Sequence, residues 1–103
     1  MRRARIAMLG KPAGTLEELE SGSWVFRYDP DYAGPPVSLT MPVARGEHRF
    51  DVFPPFFEGL LPEGEMLAGL LRLRKIDRRD LFSQLMAVGA DTVGAVTATE
   101  IGA

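Results

Sequence analysis

The spacing of apolar residues changes near the middle of the chain. In residues 23–28 apolar and polar side chains alternate, and Trp24, Phe26 and Tyr28 share one face. A period of two is typical of a half-buried β-strand. Beyond residue 62 the apolar residues recur every three or four positions, which is typical of an amphipathic α-helix. The pattern predicts a sheet in the first half and helices in the second.

Further strands are predicted on both sides of residues 23–28. Residues 4–9 form a short apolar run, the Gly-Lys-Pro-Ala-Gly sequence at 10–14 has the composition of a turn, and residues 15–19 follow as the second strand of a hairpin. Residues 37–41 read as another strand that Pro42 stops. The consecutive prolines 54 and 55 cannot continue a central strand, so the β region should end before them.

A first long helix is predicted to begin near Glu63. Its apolar stripe contains Met66, Leu67, Leu70 and Leu71, continued by Leu73 or Ile76. Gly69 within this helix costs about 1 kcal/mol relative to Ala. We therefore expect it to allow close packing against the sheet.

A second helix is predicted after Asp77, which can cap it, with Asp80 in the place of a capping-box acid. Gly89 is expected to end this helix in the left-handed conformation. Residues 92–99 then form a final strand. The predicted buried stripe of the helix consists of Leu81, Phe82, Leu85, Met86 and Val88.

Composition agrees with one globular domain over residues 1–103. Apolar residues make up 46% and charged residues 25% of the chain, and a chain of this length buries roughly 65% of its unfolded surface. The predicted fold class is α+β: a small, mostly antiparallel β-sheet or partly open barrel, packed with two helices from the C-terminal half and a final strand. The lack of Cys is consistent with a reducing cytoplasm. No segment has the length of a membrane span.

The net charge of −2 argues against general binding of nucleic acid. Five basic residues are nevertheless close together in the sequence. One interpretation is a helix C-terminus whose basic residues complement the helix dipole, with the remainder solvated; the other is a surface for an acidic partner or DNA phosphate. The five basic residues are Arg72, Arg74, Lys75, Arg78 and Arg79.

Candidate chemistry is sparse. His48 is the only histidine and is predicted to be a solvated loop residue beside Glu47. Ser38 has no plausible triad partners, and no His, Cys or carboxylate cluster has metal-ligand spacing. Residues 89–94 imitate the outer glycines of a phosphate loop but lack the following Lys and Ser or Thr. We expect no catalytic residues, cofactor or metal, and we expect Trp24 to be a core residue.

The sequence Phe-Phe-Glu-Gly-Leu-Leu-Pro-Glu-Gly at residues 56–64 is the most specific motif. Pro62 and Glu63 suit the first turn of a helix. The apolar residues before them must either fill the core or await a partner. These are Phe56, Phe57, Leu60 and Leu61.

This motif resembles the corresponding stretch in the N-terminal subdomain of HipA-type toxin kinases. The sequence contains no kinase Gly-rich loop with its Lys, no His-Arg-Asp catalytic loop and no Asp-Phe-Gly triplet. It therefore resembles HipS, the small separate protein of tripartite HipBST toxin–antitoxin systems. The likeness extends in order through residues 4–10, 14–16, 26–32, 37–42, 56–64, 80–85 and 89–96.

The resemblance implies a cytoplasmic, non-catalytic antitoxin. Its partners would be a separate HipT-like serine/threonine kinase toxin and a HipB-like helix-turn-helix DNA-binding protein, with no direct contact to nucleic acid or membrane. Two alternatives stay open: an N-terminal subdomain fragment of a longer HipA-type kinase, or an accessory subunit of a DNA-bound repressor complex.

The resemblance also implies where the kinase binds. In the HipS family a side chain near this corner projects toward the kinase active site, and Glu65 and Met66 occupy that place here instead of a bulky aromatic residue. The predicted partner-binding residues are Leu61, Pro62, Glu63, Gly64, Glu65 and Met66.

Overall fold

A five-stranded antiparallel sheet in the order β4-β3-β2-β1-β5 organises the chain. The computed structural model describes residues 2–91 and 95–101. The strands are β1 (Arg3–Met8), β2 (Lys11–Glu18), β3 (Trp24–Tyr28), β4 (Glu47–Phe50) and β5 (Val96–Glu100); the helices are α1 (Pro55–Glu58), α2 (Gly64–Arg74) and α3 (Leu81–Val88). The predicted α+β class is confirmed, with an open sheet rather than a barrel.

The hairpin between β1 and β2 turns more tightly than predicted. Leu9 and Gly10 have φ of 52° and 81°, the positive values that a two-residue hairpin turn requires. Lys11 already pairs with β1. Gly14 lies inside β2 rather than in a turn, and a β-carbon there would overlap the Arg27 carbonyl of the neighbouring strand. This close approach of two backbones explains the glycine.

The core lies on one face of the sheet, and the alternation in β3 is confirmed. Trp24, Phe26 and Tyr28 are all buried. Trp24 packs edge-on to Phe53, with ring centroids 5.0 Å apart, and stacks on Phe82 at 5.7 Å. As predicted, Trp24 belongs to the core.

The opposite face of the sheet has a polar cover. Arg27 on β3 forms ion pairs with Glu17 on β2 at 2.7 Å and with Glu47 on β4 at 3.0 Å, and Glu47 also pairs with Arg49. Val25 is fully buried on the same face. The side chains of the ion pairs thus shield an apolar residue without a second layer of helices.

The predicted strand at residues 37–41 is wrong. The segment turns, with the Met41 N–H donating to the Ser38 carbonyl. The hydroxyl of Tyr28 explains this path, because it accepts the Val37 N–H and donates to the Met41 carbonyl. A buried hydroxyl needs such partners, and these draw the segment over the core.

His48 is also placed differently from the prediction. It lies in β4 and is buried, and its Nε2 is 2.9 Å from the Pro42 carbonyl oxygen. Pairing of β4 with β3 turns the ring inward, next to Tyr28. A 3₁₀ turn at Val43–Arg45 precedes the strand.

Asp80, not Asp77, caps α3. The Asp80 carboxylate accepts the Ser83 N–H at 3.1 Å, whereas Asp77 accepts the Arg79 N–H in the preceding turn. The buried residues of the helix are Phe82, Gln84 and Leu85, while Leu81, Met86 and Val88 are half-buried.

The predicted left-handed stop at Gly89 is wrong, since its φ and ψ are −62° and −27°. A 3₁₀ turn at Gly89–Asp91 continues from α3. Residues 92–94, with which the predicted final strand began, lie outside the described residues, and β5 runs from Val96 to Glu100. In the described part of the chain, none of the helices has the length and apolar character to cross a bilayer.

Candidate partner-binding surface

The apolar residues before the predicted corner fill the core. Phe57 is fully buried, with its ring centroid 5.7 Å from that of Phe26. Phe56, Leu60 and Leu61 pack against the core from its edge. Their crowding in the sequence therefore has a structural explanation, and any partner contact must come mainly from the residues that follow.

The corner itself is built by Pro62, Glu63 and Gly64. Glu63 is the extended residue before α2, and Gly64 has a φ of 60°. Pro62 thus precedes the helix instead of standing in its first turn, which corrects the prediction. The positive φ of Gly64 favours glycine, because a β-carbon disfavours this backbone region.

Most of the predicted interface residues are exposed. Glu63, Gly64, Glu65 and Met66 lie on the surface, and Met66 is 76% exposed. The sequence correctly predicted an exposed helix start. Leu61 and Pro62 are half-buried at its base, so the six residues form one continuous corner whose contact with a partner stays a prediction.

Helix α2 has no buried residue. Its inner side, with Leu67, Leu70 and Leu71, is only half-buried, and α2 packs beside α3. The predicted close packing at Gly69 is wrong, because a β-carbon there would meet nothing within 4 Å. Such a helix leaves apolar area unburied, which is typical of a surface that a partner covers.

The outer side of α2 carries an apolar stripe. Met66, Gly69 and Leu73 follow at i, i+3 and i+7, which places them on one helical face, and Leu73 is 80% exposed. Ile76, not Leu73, continues the half-buried inner side. The stripe starts at the corner and extends it along the helix.

A basic segment follows this stripe. Arg72 and Arg74 lie in the last turn of α2, where their charge complements the helix dipole. Lys75 ends the helix with a φ of 55°. Together with Arg78 and Arg79 these residues are exposed, and within residues 2–91 and 95–101 none of the five forms an ion pair.

An ion-pair network holds the N-terminus of α3 to the sheet. The Arg2 guanidinium lies 2.9 Å from Glu18 and 2.8 Å from Asp80, and 4.9 Å from the ring centroid of Phe82. The hydrogen bond from Arg2 lowers the pKa of Glu18. Burial opposes ionisation of Asp80, but hydrogen bonds from Ser83 and Arg2 outweigh it and lower its pKa.

The sequence alone did not indicate this network. Arg2 is separated from its two partners by 16 and 78 positions, so no local pattern connects them. The pairing ties the N-terminus of α3 to the sheet, and α2 packs beside α3.

A groove of 420 Å³ opens between α1, the corner and α3. Leu61, Pro62 and Leu67 contribute to one side, and Leu81 and Gln84 come from α3. Among the described residues no group of three or more His, Cys, Asp or Glu could hold a metal ion. The surface offers recognition by apolar and charged side chains.

Comparison with known proteins assigns this architecture. The family model described as the HipA N-terminal domain matches residues 4–99. A solved structure, the N-terminal domain of HipA toxin, superposes with a TM-score of 0.79 at 29% identity, over 99% of this chain and 94% of that one.

Two curated relatives differ in how much of them the chain covers. A Haemophilus influenzae protein titled "Uncharacterized protein" is 33% identical over 97% of this chain and 93% of its own length. A Sinorhizobium fredii protein titled "Putative kinase Y4dM" is 31% identical over 89% of this chain, which spans only 25% of that protein. The family model matches nearly all of the chain, and the fold agrees with that match. This protein therefore belongs to the HipA N-terminal domain family.

Proposed function

We propose that this protein is a non-catalytic antitoxin that acts as a single domain in the cytoplasm. It binds and neutralises a separate HipT-type serine/threonine kinase, in a toxin–antitoxin complex that also contains a HipB-like helix-turn-helix protein. Membership of the HipA N-terminal domain family supports the proposal. So does the match to one relative of similar length and to one quarter of a relative named as a kinase.

The exposed corner and the underpacked α2 together carry the proposal. A domain that is fused to a kinase must present a face to the rest of its own chain. When the domain is a separate protein, the same face can dock on the kinase from outside. Helix α2, which has no buried residue and an exposed Met66 and Leu73, suits this role better than any polar surface of the sheet.

Neutralisation would work by occlusion. Glu63 and Glu65 stand at the start of α2, where they can meet basic residues that handle ATP phosphates in the kinase. Met66 adds a flexible apolar contact. Interfaces of this kind bury about 800 Å² per partner and depend on a few central side chains, which the corner and the stripe on α2 can supply.

The main alternative places the same face in a longer chain. The coverage of only 25% of the Sinorhizobium protein favours it, because there the domain is part of a larger protein. The reading frame around the natural gene discriminates between the two: a separate downstream kinase gene supports the antitoxin, and a continuous frame supports the kinase subdomain.

A role in DNA-bound repression is favoured by the unpaired basic segment at residues 72–79. Phosphate contacts make binding strongly dependent on salt concentration. Tight DNA binding by the isolated protein that weakens steeply with salt would support this role.

Growth rescue tests the antitoxin proposal. Glu63→Lys with Glu65→Lys should keep the circular dichroism spectrum and lower the melting temperature only slightly, because both side chains are exposed and each charge at the start of α2 contributes only about 0.3–1 kcal/mol. The double variant should nevertheless abolish kinase binding and rescue of cells that express the kinase. The matched control is Glu20→Lys with Asp31→Lys, which makes the same change in charge at exposed sites away from the corner. Full neutralisation by the folded corner variant would remove the corner from the mechanism.

A further inference from the structure

The groove beside the corner has apolar walls and an acidic rim. Its walls include the half-buried side chains of Leu61, Leu67 and Leu81, and its rim carries the exposed Glu58 and Glu63. Its volume of 420 Å³ can accept one large side chain of a partner. The apolar walls favour a side chain with an extended hydrocarbon part.

Gln84 adds a hydrogen-bond acceptor to this groove. The residue is 1% exposed, and its Nε2 donates to the carbonyl oxygens of Asp77 and Arg78 at 3.1 and 2.9 Å. These two acceptors fix the orientation of the amide, because only the nitrogen can donate to them.

The Oε1 of Gln84 accepts no hydrogen bond from the residues described. Every fully buried side-chain N or O atom in that part of the chain has a partner. Oε1 therefore keeps a small solvent-accessible area, no larger than the 1% exposure of the residue allows, and Gln84 lines this groove. A nearly buried amide thus presents an unused acceptor to any ligand that enters.

The charged side chains that line the groove, two glutamates and one arginine, leave it with a net negative charge. Arg78 also lines the groove, yet in the described part of the chain neither Glu58 nor Glu63 forms an ion pair. The two carboxylates and the Gln84 oxygen all accept hydrogen bonds. The complementary ligand is a cation with several directed N–H donors.

We propose that this groove binds an arginine side chain of the partner protein. Arginine carries five donors in a planar guanidinium on a hydrocarbon stem, so its stem fits the leucine walls while its head reaches Gln84 Oε1 and the carboxylates. Lysine has a more strongly hydrated point charge, and tryptophan has a single donor and no charge. That the kinase supplies this arginine rests on the proposed function. Binding of arginine in the groove can be tested without the kinase.

The test is an NMR titration of the isolated, ¹⁵N-labelled protein with the peptide acetyl-Leu-Arg-Leu-amide. We expect saturable shifts at the residues of the groove, including the side-chain amide signals of Gln84, with a Kd of about 1 mM, as befits one small contact. The same peptide with lysine or uncharged citrulline in place of arginine should bind about two- to fivefold more weakly, the size of one exposed charge contact.

Variants locate the contact. Glu58→Gln with Glu63→Gln should weaken binding of the arginine peptide about fivefold or more, while Glu20→Gln with Asp31→Asn, which removes the same charge at exposed sites outside the groove, should leave it unchanged. Equal binding of all three peptides, or shifts confined to residues 72–79, would overturn the proposal.

Measurement of kinase binding distinguishes this inference from the proposed function. Specific peptide binding with no kinase binding would refute the antitoxin role and keep the groove. Kinase binding that is insensitive to Glu58→Gln with Glu63→Gln would keep the antitoxin role and refute arginine capture.

Discussion

Gly89 lies directly against the backbone carbonyl of Ala98, so closely that a β-carbon on Gly89 would overlap the oxygen. At the two ends of the β1–β5 ladder, Leu9 is hydrogen-bonded to Ala95 and Ile101 to Arg3. Hydrogen-bonded and non-hydrogen-bonded pairs alternate along antiparallel strands, so the Ala98 carbonyl points away from β1, toward the outer edge of the sheet. Gly89 therefore covers part of an edge strand. Covered edges do not pair with other chains, and only glycine allows this cover.

Gly89→Ala should destabilise the protein by about 1–3 kcal/mol, the usual cost of forcing extra atoms into a packed site. Gly69→Ala is the matched control: it adds the same methyl group to an α2 position with open space and should stabilise by about 0.5–1 kcal/mol. Urea unfolding followed by circular dichroism measures both. Equal effects of the two substitutions would contradict the close packing at Gly89.

Phe57→Ala should lower the free energy of unfolding by about 3–5 kcal/mol, because the ring extends from α1 and is fully buried against Phe26 of the sheet. Leu73→Ala shortens an apolar residue that is 80% exposed and should change stability by no more than about 0.5 kcal/mol. Thermal unfolding compares them. An unchanged melting temperature for Phe57→Ala, with loss of partner binding, would move this residue from the core to the interface.

The network of Arg2, Glu18 and Asp80 should make the fold sensitive to acid. The pKa values of both carboxyls are lowered in the folded protein, so their stabilisation is present above the unfolded pKa values and is lost as pH falls through the folded ones. Stability should therefore decline below about pH 4, where such carboxyls begin to protonate.

Substitution of Arg2 isolates this contribution. Arg2→Gln removes the shared partner, so the free energy of unfolding, measured in urea from pH 7 to pH 3, should fall less steeply with acid than in the original protein. Arg72→Gln, at an exposed position without an ion pair among the described residues, is the control and should leave the slope unchanged. Parallel curves for the Arg2 variant and the original protein would show that the network does not control acid stability.

Gly64→Ala should strain the corner. The φ of 60° at Gly64 costs a residue with a β-carbon about 1–2 kcal/mol. Gly59→Ala, five residues earlier and with an ordinary helical φ of −64°, should change stability by about 0.5 kcal/mol or less. Calorimetry of the two variants checks the difference. If the corner binds the kinase, the Gly64 variant should also lose affinity, whereas similar stability of both variants would argue that the corner relaxes freely.

The sequence alone determined the class of fold and the positions of the central strand and the two longer helices. Alternation in residues 23–28 predicted a central strand with Trp24, Phe26 and Tyr28 inward, and the helical spacing after residue 62 predicted α2 and α3. It also placed Glu63, Glu65 and Met66 at an exposed helix start. These predictions succeeded because each depends on which face of one element is apolar, and periodicity within a few residues reports that directly.

Only the tertiary structure decided what each face meets. Tyr28 draws residues 37–41 away from a strand, pairing with β3 buries His48, and Arg2 reaches Asp80 from 78 positions away. Two glycines show the same limit of local sequence patterns. A carbonyl of β5 leaves no room for a β-carbon at Gly89, whereas Gly69 faces open space. The two glycines look alike in the sequence. Contacts between distant residues leave no local periodicity, so their chemistry becomes visible only when the chain has folded.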